Sequence, residues 1–275
     1  MDMGSKEMLV NYEKYLRKAE MSENTIKSYI GTVNFYLRTY GTINRSNILK
    51  YKEYLILNYK VATINNRLLA INNFLHFLKK DSLKVKTVRV QQKTFLDNVI
   101  SNSDYNKLIR SLKNDEQIKW YMIIRTMACT GARVSEVIVF QIEDVYAGYV
   151  ELYAKGNKLR RIYFPKTLQT ELIRWIEAEE RTMGSLFLNK NGITISANGI
   201  AAMLQKFATR YNIDKKVMHP HSFRHRFALN FLAKKPNEII LLADLLGHSN
   251  INTTRVYTRR TAQEQYKIIN SVVDW

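Results

Sequence analysis

Residues 219–258 read HPHSFRHRFALNFLAKKPNEIILLADLLGHSNINTTRVYT and hold four of the five histidines in the chain. His221 and Arg224 are three positions apart, so a helix presents both on one face. His248 follows a glycine in a Leu-Leu-Gly-His sequence, and Tyr257 comes nine residues later. A guanidinium supplies fixed, permanently charged donors for phosphate oxygens, and a phenol can act as a covalent nucleophile. The stretch therefore predicts phosphate chemistry with tyrosine as the nucleophile, on a largely helical domain.

An apolar helix and the turn after it place a further arginine upstream of this stretch. Residues 118–129 are nearly all apolar, which predicts a helix that is buried on most sides. Gly131 ends that helix within the sequence Thr-Gly-Ala-Arg-Val-Ser-Glu, which puts Glu136 one turn after Arg133. The carboxylate can then orient the guanidinium or brace the next helix. An Arg-x-x-Glu pair alone is usually a surface ion pair of little energetic value.

Two segments between these stretches predict a β-hairpin. Residues 148–154 (GYVELYA) and 159–164 (LRRIYF) are β-branched and aromatic, and Lys-Gly-Asn-Lys lies between them. This composition is typical of two short strands and a tight turn. Residues 185–195 predict a short strand and a loop, and the remaining segments have helical periodicity. The predicted fold is therefore mainly α with a small β-hairpin.

Together these motifs resemble the C-terminal signature of the tyrosine recombinases of the Xer and phage integrase type. The resemblance is dense from Thr130 to Tyr257 and looser over the first 90 residues. It is specific because it fixes several residue types across a long stretch of sequence. It implies a catalytic domain with six catalytic residues, which are Arg133, Lys155, His221, Arg224, His248 and Tyr257.

The resemblance also implies a role for each of these residues. Tyr257 attacks the scissile phosphorus and forms a 3′-phosphotyrosyl link, which frees a 5′-hydroxyl. Arg133 and Arg224 bind the non-bridging oxygens, where charge builds in the transition state. His221 serves as general base or proton shuttle for the tyrosine, and His248 donates a hydrogen bond to the phosphate.

The general acid for the 5′-oxygen is expected in the hairpin turn. The family pattern is Gly-Lys-Gly-x-Lys, and it assigns this role to Lys155, with Ala154 where the family often has glycine. Lys158 is the rival candidate, and a turn lysine that is merely solvated is the ordinary structural alternative. The covalent link conserves bond energy, and the arginines and the lysine occupy the place of a divalent cation. The resemblance therefore implies no ATP, no metal and no other cofactor.

The first 82 residues predict a helical bundle. Apolar side chains recur at helical spacing over residues 5–20, 22–41, 46–59 and 63–80, and four such helices form a small all-α bundle. The sequence Ser-Glu-Asn-Thr-Ile-Lys-Ser-Tyr resembles the opening of the second helix in the N-terminal core-binding (SAM-like) domain of the family. That domain grips DNA mostly through phosphates, whereas each basic side chain alone is usually part of a solvated face.

A basic segment without helical periodicity separates the bundle from the catalytic part. We predict a DNA-binding domain over residues 1–82, a basic linker over residues 83–96 and a catalytic domain over residues 97–275. An extended basic linker can lie along a duplex with Lys84, Lys86 and Arg89 against phosphates. A surface strand is the alternative for this segment.

Composition agrees with a nucleic-acid partner. The chain of 275 residues has a net charge of +19, with 16 basic and 7 acidic residues in 1–90 and 27 and 17 in 91–275. A protein whose two halves are both basic can bind a polyanion with each of them. The alternative explanation of the charge is a generally lysine-rich proteome. The single Cys129 excludes a disulfide within the chain. With no membrane-length apolar run and no signal-peptide pattern, we expect a cytoplasmic, nucleoid-associated protein with no membrane partner.

The expected partners are double-stranded DNA with a specific recombination site and further copies of the chain. Residues 261–275 form a short amphipathic tail. The tail can dock on its own domain, or on a neighbouring protomer, as the resemblance implies, in a tetramer on synapsed DNA.

Three other interpretations of the sequence compete with a recombinase. His219, His221 and His225 invite a metal site, but no nearby cysteine or carboxylate completes one, and a structural hydrogen bond is expected for His225. A type IB topoisomerase uses similar chemistry. A DNA-binding accessory protein with an idle site is the alternative outside the enzymes.

Overall fold

The computed structural model describes residues 3–89, 96–154, 158–247, 254, 257 and 262–273. Lys155 and His248 lie outside the described residues. The chain forms two compact units, Met1–Gln92 and Lys93–Trp275. Each unit has an apolar core of its own, which a chain of this length can support.

The first unit is a bundle of helices. Its helices are α1 (Met3–Lys18), α2 (Glu23–Tyr40), α3 (Arg45–Asn58) and α4 (Val61–Phe77), followed by a 3-10 turn at Asp81–Leu83. The Ser22 side chain accepts the backbone N–H of Thr25, and the Asn44 side chain accepts that of Asn47. These caps satisfy donors that the first turn of a helix leaves unpaired. The predicted four-helix bundle is therefore present.

The segment after this bundle is fixed to it by two asparagines of α4. Asn72 donates to the carbonyl of Val85 (2.8 Å) and accepts its N–H (3.0 Å). Asn65 binds Val88 in the same reciprocal way, at 2.9 and 2.8 Å. The side chain of Val85 is buried in the core of the bundle. Residues 84–89, which the sequence assigns to a linker, thus pack on the first unit as an extended strap.

The second unit is mainly helical. Its helices are α5 (Asn102–Asn114), α6 (Ile118–Thr130), α7 (Val134–Val137), α8 (Ile142–Ala147), α9 (Lys166–Ala178), α10 (Ala197–Arg210), α11 (Pro220–Lys234), α12 (Ile239–Leu246) and α13 (Ala262–Val272). The apolar helix α6 packs against α5, α9 and α11, and most of its side chains are buried, as predicted. Sequence periodicity did not predict the short helix α8.

The predicted hairpin consists of strands β1 (Tyr149–Ala154) and β2 (Lys158–Tyr163). The strands are antiparallel, with Tyr149 opposite Tyr163 and Leu152 opposite Arg160. Residues 185–195 form isolated bridges instead of the predicted strand. The fold is thus mainly α with one small two-stranded sheet. Within the described ranges, no helix has both the length and the apolar character needed to cross a membrane.

Candidate active site

Three arginines converge on the C-terminal end of α12. They donate to three successive backbone carbonyls: Arg160 Nε to Leu245 (2.9 Å), Arg224 Nη2 to Leu246 (2.5 Å) and Arg133 Nη2 to Gly247 (3.2 Å). The last carbonyls of a helix have no intrahelical donor and carry partial negative charge. The end of α12 therefore gathers the guanidinium groups from three separate parts of the chain.

Glu136 is the carboxylate of this cluster. Its Oε1 accepts from Arg133 Nη1 at 2.9 Å and from Arg160 Nη1 at 2.7 Å. Its Oε2 accepts the backbone N–H of Arg133 at 2.6 Å and so caps α7. Glu136 thus both orients the guanidinium and braces the helix. Two guanidinium groups bind this carboxylate and that of Arg224 lies close by, so the excess positive charge suits an anion such as a phosphodiester.

Arg224 is almost fully buried, at 2 % exposed. Its Nη1 donates to the carbonyl of Gly131 at 2.7 Å. Burial, followed by repulsion from Arg133 and Arg160, lowers the pKa of Arg224 to about 10, so the group remains charged at neutral pH. Gly131 has a φ of 63°, and a Cβ at this position would lie 2.5 Å from the ring of Phe227. Glycine therefore permits both the turn and the close approach of α11.

The start of α11 is held by residues other than the predicted catalytic ones. The ring of His219 accepts the backbone N–H of Ser222 at 3.2 Å, and Pro220 occupies the first turn. The hydroxyl of Ser222 in turn accepts the backbone N–H of Ile100 at 2.7 Å. His219 is thus a helix cap. In the part of the chain that the structure describes, no group of three or more His, Cys, Asp or Glu residues could hold a metal ion.

Tyr257 is buried beside His225. Its hydroxyl lies 3.0 Å from Nδ1 of His225, and the ring centroids are 5.4 Å apart. Burial raises the pKa of Tyr257, whereas the positive charges of Arg224 and Arg133 act in the opposite direction. Burial, followed by the influence of His221, lowers the pKa of His225 to about 4. His225 is therefore neutral at physiological pH and can accept the tyrosine proton in a hydrogen bond.

His221 is exposed on the same helix, one turn from His225. The two rings stack with centroids 5.8 Å apart. Desolvation of the ring, followed by the positive charge of Arg224, lowers the pKa of His221. His221 and Arg224 differ in burial, because Arg224 is buried in the interior whereas His221 is exposed. His225 therefore lies between the buried hydroxyl of Tyr257 and the exposed ring of His221.

Sequence reasoning found part of this arrangement. The structure gathers Arg133, Arg224 and Tyr257, and it brings His221 near them through His225. The roles of Lys155 and His248 remain predictions, because both lie outside the described residues.

Arg160 was missed. For His225, the sequence predicted a structural hydrogen bond but not that its partner is Tyr257. Residues alternate sides along a strand, and the buried Ile162 is two positions after Arg160. This alternation is a signal that Arg160 points inward. For His225, the only signal was its place one turn after His221.

Comparison with known proteins identifies the family. The model of the phage integrase family matches residues 98–264, which is more than half of the chain. The tyrosine recombinase XerD of Oceanobacillus iheyensis is 27% identical over 268 residues, covering 88% of this chain and 89% of the relative. The tyrosine recombinase XerA of Pyrococcus furiosus is 26% identical over 266 residues, covering 94% and 91%.

Solved structures share the fold. The XerH site-specific recombinase in a pre-cleavage complex with its difH substrate has a TM-score of 0.70 at 19% identity, covering 94% of this chain and 82% of that one. A lambda integrase dimer bound to a core site also has a TM-score of 0.70, at 14% identity, with 92% and 94% covered. At these identities the likeness supports the fold, and the family match covers the residues of the arginine cluster and Tyr257. The chain therefore belongs to the phage integrase family of tyrosine recombinases, enzymes that cleave and rejoin DNA.

Proposed function

We propose that this chain is a site-specific DNA recombinase that cuts and rejoins strands through a 3′-phosphotyrosyl bond to Tyr257. The observation that carries the proposal is the arginine cluster at the end of α12, where the positive charges of Arg224 and Arg133 oppose the rise that burial causes in the pKa of Tyr257. Fixed cations beside a nucleophilic oxygen suit attack on a phosphodiester, whose negative charge grows in the transition state.

The proposed reaction forms and breaks one bond in each step. The hydroxyl oxygen of Tyr257 attacks the phosphorus, and the bond to the 5′-oxygen breaks. Arg133 and Arg224 bind the non-bridging oxygens, with His248 as a further donor. Lys155 donates a proton to the departing 5′-oxygen. Attack by a 5′-hydroxyl reverses these steps and reseals the strand, so the bond energy is retained and neither ATP nor a metal is needed.

Removal of the tyrosine proton requires an acceptor, because an unperturbed phenol has a pKa of about 10. We assign His221 as the base or proton shuttle. His225 contacts the hydroxyl of Tyr257 and stacks on His221, so one imidazole ring separates His221 from the nucleophile. Both imidazoles have lowered pKa values and are neutral at physiological pH. The pKa of His225, about 4, makes this ring a poor proton acceptor, which leaves His221 as the assigned base.

The proposed partner is double-stranded DNA that carries a specific recombination site. The XerH and lambda integrase structures are complexes with such sites. In the first unit, α2 and α4 border a groove of about 510 Å³ whose lining includes Lys27, Ser28, Asn66 and Arg67. Amide, hydroxyl and cationic donors of this kind suit phosphate and base contacts. We therefore assign DNA binding to residues 1–82, with the strap at 84–89 adding its basic side chains.

We further propose that the chain acts as a tetramer on synapsed DNA. Tyr266, Ile269 and Val272 lie on α13 at helical spacing, and each is exposed by at least 60 %. An exposed apolar stripe of this kind suits packing against another protomer. Deletion of residues 262–275 should reduce synapsis more than binding to a single site. Equal loss of both activities would count against a role in assembly.

Covalent trapping tests the proposed function. The chain and its Tyr257→Phe variant are mixed with nicked duplexes tiled from the DNA that flanks the gene, with EDTA present. We expect a protease-sensitive adduct on a denaturing gel only when Tyr257 is present. Adducts that require added magnesium would refute the metal-free mechanism. Complexes on a native gel without any adduct would favour a binding protein with an idle site.

A further inference from the structure

Arg160 is a buried cation that the proposed reaction does not use. Its side chain is 3 % exposed, and its Nε and Nη1 bind the carbonyl of Leu245 and the carboxylate of Glu136. Its Nη2 is buried and has no acceptor among the described residues. Burial of a guanidinium with an unmet donor is costly, and a buried ion pair is weak evidence for a role in stability. These facts point to a role in the site.

We propose that Arg160 is a positioning residue for DNA cleavage, which holds Arg133 and the end of α12 in the geometry that binds the scissile phosphate. The inference rests on the proposed function and adds a residue to it. Arg160 acts through Arg133, and no direct contact with DNA is assigned to it.

The first link in this role is the shared carboxylate. Oε1 of Glu136 accepts from both Arg133 and Arg160, at 2.9 and 2.7 Å. Without Arg160, this oxygen would interact with Arg133 alone, and the stronger ion pair would compete with the phosphate for the Arg133 guanidinium. Arg160 therefore keeps Arg133 oriented while leaving its guanidinium available for the substrate.

The second link is the bond from Nε to the carbonyl of Leu245. The next two carbonyls of the same chain end hold Arg224 and Arg133, so a shift of Leu245 would move both acceptors. The packing is close, because a Cβ on Gly247 would lie 2.5 Å from Cδ of Arg160. One side chain thus ties strand β2 to the anchor of both phosphate-binding arginines.

The chain offers a matched control on the same strand. Arg161 is the next residue of β2, its side chain is 45 % exposed, and it pairs with Glu151 across the hairpin. Replacing either arginine with methionine removes one positive charge from β2. Only Arg160→Met removes a charge from the cluster around Glu136.

The test compares cleavage rates of the full chain and its variants on a nicked duplex, with either a phosphodiester or a methylphosphonate at the scissile position. We expect Arg161→Met to cleave within about twofold of the unaltered chain, because its ion pair is exposed. Arg160→Met should cleave roughly 100-fold more slowly with the same DNA affinity as Arg161→Met, which is the size of effect for a lost transition-state donor. The defect should shrink on the methylphosphonate, which carries less charge for Arg133 to stabilise.

Equal cleavage rates for Arg160→Met and Arg161→Met would overturn the proposal. An equal loss on both substrates, together with a lower melting temperature, would overturn it in favour of a purely structural brace. Should Arg160→Met fail to fold, Arg160→Lys carries the test, since it keeps the charge but lacks the two-pronged donor geometry. A cleavage rate for Arg160→Lys equal to that of the unaltered chain would refute the role. No adduct from the unaltered chain on any duplex would overturn the proposed function as well.

Discussion

Gly247→Ala tests whether the close packing of Arg160 against the end of α12 is needed for stability and cleavage. Gly247 ends the helix with a φ of 62° and a ψ of 48°, in the left-handed region that favours glycine. An added Cβ would lie 2.5 Å from Cδ of Arg160. The arginine cannot move cheaply, because its guanidinium is held by Leu245 and Glu136. The methyl group should therefore displace the side chain that ties β2 to the arginine cluster.

The magnitude follows from two separable costs. A left-handed conformation costs an L-residue about 1–2 kcal/mol. Gly192→Ala isolates this cost, because Gly192 has a φ of 72° in the same unit and open space around its Cα. Gly247→Ala adds the loss of a buried, charge-assisted pair, which costs about 3–5 kcal/mol, for a total of about 4–7 kcal/mol. At about 2–4 °C per kcal/mol, the melting temperature should fall by roughly 5 °C for Gly192→Ala and by about 10 °C or more for Gly247→Ala.

Thermal denaturation and covalent trapping together provide the assay. We expect Gly192→Ala to retain the cleavage rate of the unaltered chain. Gly247→Ala should lose about 10²-fold or more at a temperature where it is still folded, because Arg133 and Arg224 share the disturbed helix end. Equal drops in melting temperature, with cleavage preserved in both variants, would refute the reasoning from close packing.

Three further predictions concern single contacts. Burial lowers the pKa of His225 to about 4, so below about pH 6.5 the unfolded chain binds a proton that the folded chain does not. The free energy of unfolding should then fall between pH 6.5 and 4, by on the order of 3 kcal/mol. Chemical denaturation across this pH range measures it, and a His225→Phe variant with the same pH dependence as the unaltered chain would contradict the prediction. Asn72→Ala should speed tryptic cleavage in residues 84–89, because it removes both hydrogen bonds to Val85. Asn66→Ala, at an exposed position of the same helix, serves as the control, and equal cleavage rates would show that Asn72 does not hold the strap. Ser222→Ala should lower the free energy of unfolding by about 1–3 kcal/mol, because it leaves the buried N–H of Ile100 without an acceptor. An unchanged melting temperature would rule out that hydrogen bond as a stabilising contact.

Local physical chemistry explains why much of the fold was predictable. Helix starts depend on a side chain that accepts a nearby backbone N–H, and Ser22, Asn44 and Ser196 do so a few residues from where the sequence predicted helices. The hairpin follows from alternating β-branched and aromatic residues around a turn. Helix α8 was missed because its six residues form too short a segment to show a helical period.

The sequence by itself determined the order and spacing of the arginines, the histidine pair and the tyrosine, and hence the family. Tertiary structure alone decided what those groups contact. Arg133, Arg160 and Arg224 meet at consecutive carbonyls although up to 91 positions separate them in the chain. The partner of Tyr257 is likewise decided by packing, which buries its hydroxyl against His225. The physical reason is that burial and charge pairing depend on which distant segments share an interior, whereas helix caps and strand alternation depend on neighbours in sequence.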